Sequence, residues 1–446
     1  MAGERADVYQ SLDLALRVGE VLLSSGAGAS DVVATMVAVT HACGVRRVTA
    51  DVTFVDLTLH HQPSADEPAA TQVRRVGRRP VDYGQLTQVD EIVQDLVDGR
   101  ADREEARARL ARVVSTGHAR PRWTVTLALG VTGAGIAMTL GGDVLVCTLA
   151  FVAACAIDRT KVRLAGEALP MFYQQVAGGL IASVLAVVAA ATPLDVNPSQ
   201  VVTAGIVVLL AGIGLVGAMQ DAIMSFPVTA SARLVDATLA TVGIIAGVAG
   251  GLAVGGFLHV ELTNFEPGAS SLAAVGVMMA GAGIAAAAHA YGCYAPLRAV
   301  VVVAGVGAVA RGVSSAFAGG SLGAPWGAAV AATGIGLASY VLSSRVSVPA
   351  LAIVVPSIAP LLPGLAIYRG LALLADGKDG VPDLATAALT AVSLAAGVIL
   401  GHYLAQPVRQ EAQRLGARLA LPRLVGPRTR RHPDDAGTQP GDQQAT

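Results

Sequence analysis

Charged side chains inside apolar stretches are the residues of this sequence that could do chemistry. Arg311 lies well inside an apolar run, and Asp221 and Asp236 flank a break between two others. A charge at membrane depth costs about 2.5 to 3.5 kcal/mol, so such groups tend to bind substrates or carry ions. An arginine can receive a carboxylate, and an aspartate can receive an ammonium or a proton. The alternatives are structural pairing for Arg311 and ordinary interfacial charge for the aspartates.

Further residues near these breaks are weaker candidates for the same role. Glu167 could simply face water, and Arg369 either contacts a substrate or extends to the membrane interface. The predicted substrate or proton pathway consists of Asp221, Arg311, Asp236, Arg233, Glu167, Arg369 and Tyr368.

The sequence lacks the residue sets that are typical of enzymes and cofactor sites. His41, Cys43, His60 and His61 do not have the spacing of a zinc site. Gly212–Gly217 matches a dinucleotide fingerprint, but it lies inside an apolar run without the strand and the distal acid that such a site needs. We expect no catalytic residues, no metal and no cofactor.

Composition places the chain in a membrane. Of 446 residues, 53% are hydrophobic and 14% charged, and the mean hydropathy of +0.60 lies outside the range of soluble globular proteins. Most charge precedes Arg122 or follows Pro407, so the net charge of -1 describes two polar ends around an apolar middle. The lipid bilayer is therefore an expected partner, and nucleic acid is not.

Ten apolar runs follow one another, and a helix needs about 20 residues to cross a bilayer. The run at 144–157 is the shortest and could be re-entrant. The first five runs lie at 123–141, 144–157, 170–191, 200–220 and 235–255, and the second five at 271–291, 299–318, 325–342, 350–373 and 383–404.

The runs form two blocks of five with look-alike segments, Leu209–Leu215 and Leu361–Ile367, each in the fourth run of its block. With an odd number of spans per block, the second copy enters the bilayer with opposite orientation, and such repeats commonly build a transporter around a midplane site. The predicted fold is an α-helical polytopic membrane protein of about ten transmembrane helices in two inverted five-helix repeats.

Prolines and glycines predict one interrupted helix and one closely packed helix. Pro356, Pro360 and Pro363 precede Gly364 in the ninth run, which predicts a broken helix that could act as a gate, with a merely kinked helix as the alternative. Gly212 is the counterpart of Gly364 in the fourth run. A stripe of small residues in the fifth run predicts close helix packing: Gly243, Gly247, Gly251 and Gly255.

The polar N-terminal part predicts a small α+β cytosolic domain. Helices are expected at 10–24, 30–43, 84–98 and 102–116, with Ser30 capping the second. One strand with a bulge or kink near Phe54 and a second strand from Thr71 to Val76 complete it. The predicted boundaries are 1–120 for this domain, 121–258 and 259–406 for the repeats, and 407–446 for a basic, partly disordered tail.

Loop charge predicts the orientation, because Lys and Arg favour the cytoplasmic side. With both termini in the cytoplasm, the breaks on that side contain Arg159, Lys161, Arg163, Arg233, Arg298 and Arg345, whereas the other side has Lys378 alone. A multi-pass protein of the plasma membrane follows.

Four segments together resemble the bacterial threonine/serine exporter family: Leu22–Ser30, Val81–Leu86, Gly212–Asp221 with Arg233–Ala237, and Pro360–Gly364 with Tyr368–Gly370. The resemblance implies a cytosolic N-terminal domain, ten membrane helices in two halves, and proton-driven export of threonine or serine. One departure is Ala211 before Gly212, where the family pattern has proline. Similar proteins can divide the two halves between separate subunits, and some such pairs are associated with dicarboxylate export.

The sequence thus predicts a proton-coupled secondary exporter of small hydrophilic amino acids, most consistent with threonine and serine, and not an enzyme. Two alternatives stay open. One is a dicarboxylate exporter of succinate type, and the other is a membrane-tethered enzyme or sensor acting through the N-terminal domain. Homo-oligomerisation is left open as well.

Overall fold

A computed structural model describes residues 2–77, 80–192, 198–209, 212–257, 272–318, 323–375 and 377–419. Residues 1–405 form one compact unit, and residues 406–446 form a second. Within the first unit, an N-terminal region of residues 2–121 precedes a set of apolar helices.

The N-terminal region contains four helices and one antiparallel sheet, and its core is formed by apolar faces such as those of Leu12, Met36 and Leu59. The four predicted helices and the strand that follows Thr71 are confirmed. The elements are α1 (Ala2–Ser24), α2 (Ala29–Ala42), β1 (Val48–Thr53), β2 (Asp56–His61), β3 (Ala70–Arg75), α3 (Tyr83–Val97) and α4 (Arg103–Ser115).

The single bent strand predicted near Phe54 is wrong, because the chain reverses there and forms a hairpin. Phe54 has a φ of 55°, and Thr53 pairs with Asp56 across the turn. The apolar set in the sequence changes phase at this point because a new strand, β2, begins. The strand β2 lies between β1 and β3 in the sheet.

Twelve helices follow among the described residues, with one 3-10 turn at Ala359–Leu361. They are α5 (Arg122–Thr139), α6 (Val144–Gly166), α7 (Met171–Ala190), α8 (Pro198–Leu209), α9 (Gly212–Ile223), α10 (Pro227–Phe257), α11 (Leu272–Gly292), α12 (Leu297–Ala318), α13 (Gly323–Val346), α14 (Leu351–Ile358), α15 (Gly364–Ala375) and α16 (Val381–Leu419).

Seven helical segments of the described chain are long and apolar enough to cross a membrane. They are Met171–Ala190, Pro227–Gly255, Ala274–Gly292, Leu297–Phe317, Gly323–Val346, Leu351–Gly370 and Val381–Ala405. Helix α8 is apolar but shorter. The count of ten transmembrane helices therefore stays a prediction.

Helix α6 continues past the predicted end of its apolar run to Gly166. The apolar run at 144–157 is thus the first part of a longer helix. The carboxylate of Asp158 is buried, pairs with Arg122 and accepts a 2.7 Å hydrogen bond from the Thr126 hydroxyl. The helix therefore tolerates this charge and continues for two further turns.

The helix of the ninth apolar run is interrupted, as its prolines predict. Helix α14 accommodates Pro356, the 3-10 turn contains Pro360, and α15 begins at Gly364 directly after Pro363. Gly364 touches Val207 of α8 so closely that a side chain there would collide. The interruption therefore lies against the fourth apolar run, in which α9 begins at Gly212 and Leu210 and Ala211 lie outside the described residues.

Glycines bring α7 and α10 into backbone contact. A Cβ on Gly243 would lie 2.7 Å from the carbonyl oxygen of Phe172 in α7. A Cβ on Gly247 would collide with Val176, and a Cβ on Gly251 would collide with Ser183. Gly255, in the last part of α10, is buried. Removing side chains lets the two helices approach to van der Waals distance, which is the packing that the stripe predicts.

The same kind of contact recurs between α13 and α16. Gly336 lies against the carbonyl of Val398, and Gly401 lies against that of Thr333. In both blocks of five apolar runs, glycines thus join the third helix to the fifth. This correspondence is not visible in the two short look-alike segments.

The first helices of the two blocks, α5 and α11, meet at a reciprocal glycine contact. A Cβ on Gly135 would lie 2.8 Å from the Gly281 carbonyl oxygen, and a Cβ on Gly281 would lie 2.8 Å from the Gly135 carbonyl oxygen. The two helices therefore touch backbone to backbone at this point.

We expect Gly247→Ala to destabilise the protein by about 1 to 3 kcal/mol, because the added methyl group meets the α7 backbone, which cannot move away without opening the helix pair. The measurement is thermal unfolding of the purified protein in detergent. Gly250→Ala is the matched control, since Gly250 is exposed on the same helix. Equal transition temperatures for the two variants would contradict the packing argument.

Candidate functional site

The buried carboxylate of Asp221 joins the apolar helices to the N-terminal region. Its Oδ1 accepts a 2.7 Å hydrogen bond from the backbone N–H of Ala29, and its Oδ2 lies 3.0 Å from Nη1 of Arg233. Arg233 in turn donates from Nη2 to the carbonyl oxygen of Ala27 at 2.9 Å. Asp221 therefore compensates the positive end of α2, where an anion is stabilising.

This contact replaces the predicted cap. The N-cap residue of α2 is Gly28, which has no side chain to accept a hydrogen bond, and the hydroxyl of Ser30 is buried without a hydrogen-bond partner among the described residues. The prediction that Ser30 caps this helix is therefore wrong. The acceptor comes from Asp221, at the other side of the junction.

Small residues make the approach possible. A Cβ on Gly28 would lie 2.8 Å from Nε2 of Gln220, and a Cβ on Gly217 would lie 2.7 Å from Nη1 of Arg233. A larger side chain at Gly217 would displace Arg233 from Asp221, and one at Gly28 would displace Gln220 from Asp31. The small residues of the Leu22–Ser30 segment thus have a packing reason.

Thr229 makes a second contact, to the β1–β2 turn. Its hydroxyl donates to the carbonyl oxygen of Val52 at 2.9 Å and accepts from the backbone N–H of Phe54 at 3.1 Å. The tip of the hairpin is thereby held at the start of α10.

The N-terminal region also holds the loop between α11 and α12. Tyr83 is fully buried among residues of these helices, and its backbone N–H donates to the Cys293 carbonyl oxygen at 2.9 Å. His118 stacks on Tyr294 at 4.4 Å, and Arg120 donates to the carbonyl oxygens of Tyr291 and Ala295. The N-terminal region therefore contacts both blocks of apolar helices.

Two cavities lie at this junction, and Gly26 lines both. The larger cavity has a volume of about 630 Å³ and lies between the α1–α2 loop and helices α5, α6, α7 and α10. Its charged and amide-bearing lining residues are Arg122, Asp158, Lys161, Gln174, Arg233 and Asp236. Three cations and two carboxylates in one cavity suit a ligand that carries both charges.

The smaller cavity has a volume of about 270 Å³ and lies between α2, α3, α9, α14 and α16. Its polar lining residues are Asp31, Thr35, Asp90, Gln220 and His402. Partial removal from water raises the pKa of both Asp31 and Asp90. Gln220 donates to Asp31 at 3.3 Å, and Gln94 donates to Asp90 at 2.8 Å, and both bonds oppose that shift.

The remaining predicted pathway residues lie apart from these cavities. Arg311 is half-buried on α12, and its Nε has no hydrogen-bond partner among the described residues. Tyr368 is fully buried in a core with Ile206 and Val207 of α8, and Arg369 follows it on α15. Glu167 is exposed at the end of α6. The structure thus gathers Asp221, Arg233 and Asp236 at the junction and leaves the other four elsewhere.

Comparison with known families decides the identity of the chain. A model of the threonine/serine exporter family matches residues 13–255, and a second, described as "Threonine/Serine exporter, ThrE", matches residues 278–404. The chain belongs to the threonine/serine exporter family. This confirms the resemblance carried by the four sequence segments.

Two curated relatives extend the match over most of the exporter chain. The chain is 36% identical over 425 residues to "Probable threonine/serine exporter" of Mycobacterium tuberculosis. The aligned part covers 93% of this chain and 80% of the relative. The chain is 34% identical over 415 residues to "Threonine/serine exporter" of Corynebacterium glutamicum, covering 91% and 85% respectively. No solved structure matches the chain.

The family consists of transporters and not of enzymes, as the sequence predicts. Together with the seven apolar segments, membership in this family makes the chain a multi-pass membrane protein. The junction and its cavities are therefore the candidate functional site of an exporter-family member.

The sequence did not identify Asp31, Asp90 and Lys161 as lining residues of a functional site. A signal for Lys161 was present, because Asp158, Lys161, Val162 and Ala165 have the spacing of one helix face and all line the larger cavity. The two aspartates gave no such signal, since their neighbours come from distant parts of the chain.

Removing the Asp221 carboxylate is expected to release the start of α2. In Asp221→Ala, Arg233 loses its buried partner, which costs about 3 to 5 kcal/mol. Amide hydrogen exchange of residues 29–33 in the purified exporter should accelerate. Asp102→Ala is the control, since Asp102 caps α4 by accepting from Glu105 N–H and makes no bond to α2. Unchanged exchange at residues 29–33 in Asp221→Ala would show that the carboxylate does not hold the junction.

The raised pKa values of Asp31 and Asp90 predict how stability depends on pH. The folded state binds these protons more tightly than the unfolded state, so they add stability as pH falls from neutral through the raised pKa, down to the ordinary value of 3.8. Replacing both with Asn should reduce this gain in thermal unfolding scans. Asp95→Asn should act with opposite sign, because Arg109 and Arg100 lower the pKa of Asp95. A double variant with an unaltered pH profile would refute the assignment.

Proposed function

We propose that this protein exports small hydrophilic amino acids, with threonine and serine as substrates, and that proton movement drives the export. The names of the two curated relatives support the substrate class. The charges that line the larger cavity match those of a zwitterion, and this supports the same substrate class independently.

The charge balance of the larger cavity is the observation that carries the proposal. Arg122 is neutralised by Asp158, and Arg233 by Asp221. Lys161 and Asp236 add one charge of each sign to the lining. An amino acid brings one carboxylate and one ammonium, whereas a dicarboxylate brings two negative charges and would need an excess of cations. The balance therefore favours an amino acid over a succinate-type substrate.

The proposed architecture is ten transmembrane helices in two inverted five-helix repeats, 121–258 and 259–406, behind a cytosolic domain of residues 1–120. The matching glycine contacts of α7 with α10 and of α13 with α16 support a duplicated unit. Both termini lie in the cytoplasm of a plasma-membrane protein, since the basic residues of the loops favour that side. In this orientation the junction is the entrance for substrate.

Substrate then passes between the repeats while they rock against each other around the site. Arg311 receives the carboxylate along the path, because its Nε lies buried without a hydrogen-bond partner among the described residues. The interrupted helix around Pro360, Pro363 and Gly364 forms the gate, with Gly212 on the opposing helix.

Protons are proposed to enter the coupling through the smaller cavity. It is lined by α9 of the first block and by α14 and α16 of the second, so its carboxyl groups face both moving parts. A carboxyl with a raised pKa holds a proton closer to neutral pH, which suits a carrier. One proton moving with the potential contributes about 2.3 kcal/mol per 100 mV, enough for more than tenfold accumulation outside.

The test is efflux of labelled threonine, serine and succinate from preloaded vesicles, with and without an imposed pH gradient. We expect efflux of threonine and serine that the gradient accelerates, and little efflux of succinate. Asp31→Asn with Asp90→Asn should retain downhill efflux and lose its acceleration by the gradient.

Vesicles without the protein provide the background rate. Succinate efflux that exceeds threonine efflux would favour the dicarboxylate alternative. Threonine efflux that is indifferent to the gradient in the wild-type protein would indicate a passive pore and exclude proton coupling.

A further inference from the structure

The larger cavity contains one cation that forms no direct ion pair with the residues that the structure describes. Among its described lining residues, Arg122 pairs with Asp158 and Arg233 pairs with Asp221. Lys161 makes no ion pair or hydrogen bond with any residue that the structure describes. The nearest acid in sequence, Asp158, already serves Arg122 and Thr126.

Lys161 lies where a side chain can bind a ligand in the cavity, and it is not an ordinary surface charge. It is half-buried in the wall of the cavity, whereas Arg163 on the same helix is exposed. A partly desolvated ammonium group loses hydration, and a hydrogen-bonding anion compensates that loss. A ligand carboxylate is such an anion, and the cavity of about 630 Å³ has ample room for a small amino acid.

We propose that Lys161 binds the substrate carboxylate at the entrance of the transport path, an assignment that rests on the proposed export of amino acids. Lysine suits a site of first encounter, because its ammonium is a flexible point charge that does not demand one ligand geometry. Asp236 of α10 lines the same cavity and supplies the carboxylate for the ammonium of the substrate in this proposal.

This site is distinct from the role proposed for Arg311. Lys161 lines the cavity next to the N-terminal region, whereas Arg311 lies on α12 and is not among the described residues lining either cavity. The carboxylate is thus bound first by Lys161 at the entrance and later by Arg311 within the path.

The test measures initial rates of labelled threonine uptake into everted vesicles, where the cytoplasmic face is outside. Lys161→Gln should raise KM about tenfold with little change in kcat, because it removes one charge-assisted hydrogen bond in the bound state. Lys161→Arg should recover most of the affinity. Arg163→Gln is the matched control, with an exposed charge removed from the same helix, and should keep the wild-type KM.

Threonine amide separates carboxylate binding from a structural role, because it keeps the ammonium and lacks the negative charge. It should inhibit wild-type uptake at least tenfold more weakly than unlabelled threonine, and this difference should shrink in Lys161→Gln. An unchanged KM in Lys161→Gln, or an equal loss of affinity for both inhibitors, would overturn the assignment.

Binding of threonine, serine and succinate to the purified wild-type and Lys161→Gln proteins, followed by thermal shift, distinguishes the two proposals. Succinate binding that depends on Lys161, without threonine binding, would overturn amino-acid export and retain the carboxylate site. Stabilisation of both proteins by threonine to the same extent would retain the substrate and remove Lys161 from its site. No stabilisation of the wild-type protein by any of the three would overturn both.

Discussion

The buried carboxylate of Asp221 is the constraint on which the junction depends. A fully buried charge is tolerated only when it is paired and hydrogen-bonded, and Asp221 satisfies this rule with one partner from each side of the junction. Arg233 comes from the apolar helices, and the N–H of Ala29 comes from the N-terminal region. Separating the two parts would break the hydrogen bond from Ala29 to Asp221 and the bond from Arg233 to the Ala27 carbonyl oxygen, and these bonds fix the N-terminal region to the apolar helices.

The consequence is that both cavities have walls from both parts of the chain. The α1–α2 loop is held by Asp221 and Arg233, and it contributes Gly26 to the larger and the smaller cavity. The contacts of Tyr83 and Arg120 with the α11–α12 loop hold the same region to the second block. A region attached in this way is not a separate module on a tether.

The sequence predicted what is determined locally. The N-terminal helices follow from periodicity, the interruption before Gly364 follows from its prolines, and the close helix packing at Gly243 and Gly247 follows from their spacing. It could not predict partners that are distant in sequence. The acceptor for α2 lies 192 residues away from Ala29, and the arginine that pairs with Asp158 of α6 lies 36 residues before it. The Phe54 hairpin was missed because a change in alternation looks the same for a bulge and for a reversal.

The contact between Gly135 and Gly281 limits how the two blocks can move. Where side chains separate two helices, a change of rotamer lets one slide along the other. Here the backbones already touch, and no such adjustment is available. Translation along this line would drive a neighbouring Cβ into a carbonyl group. The glycine pair thus fixes the spacing of α5 and α11 and keeps the first helices of the two blocks in register with each other.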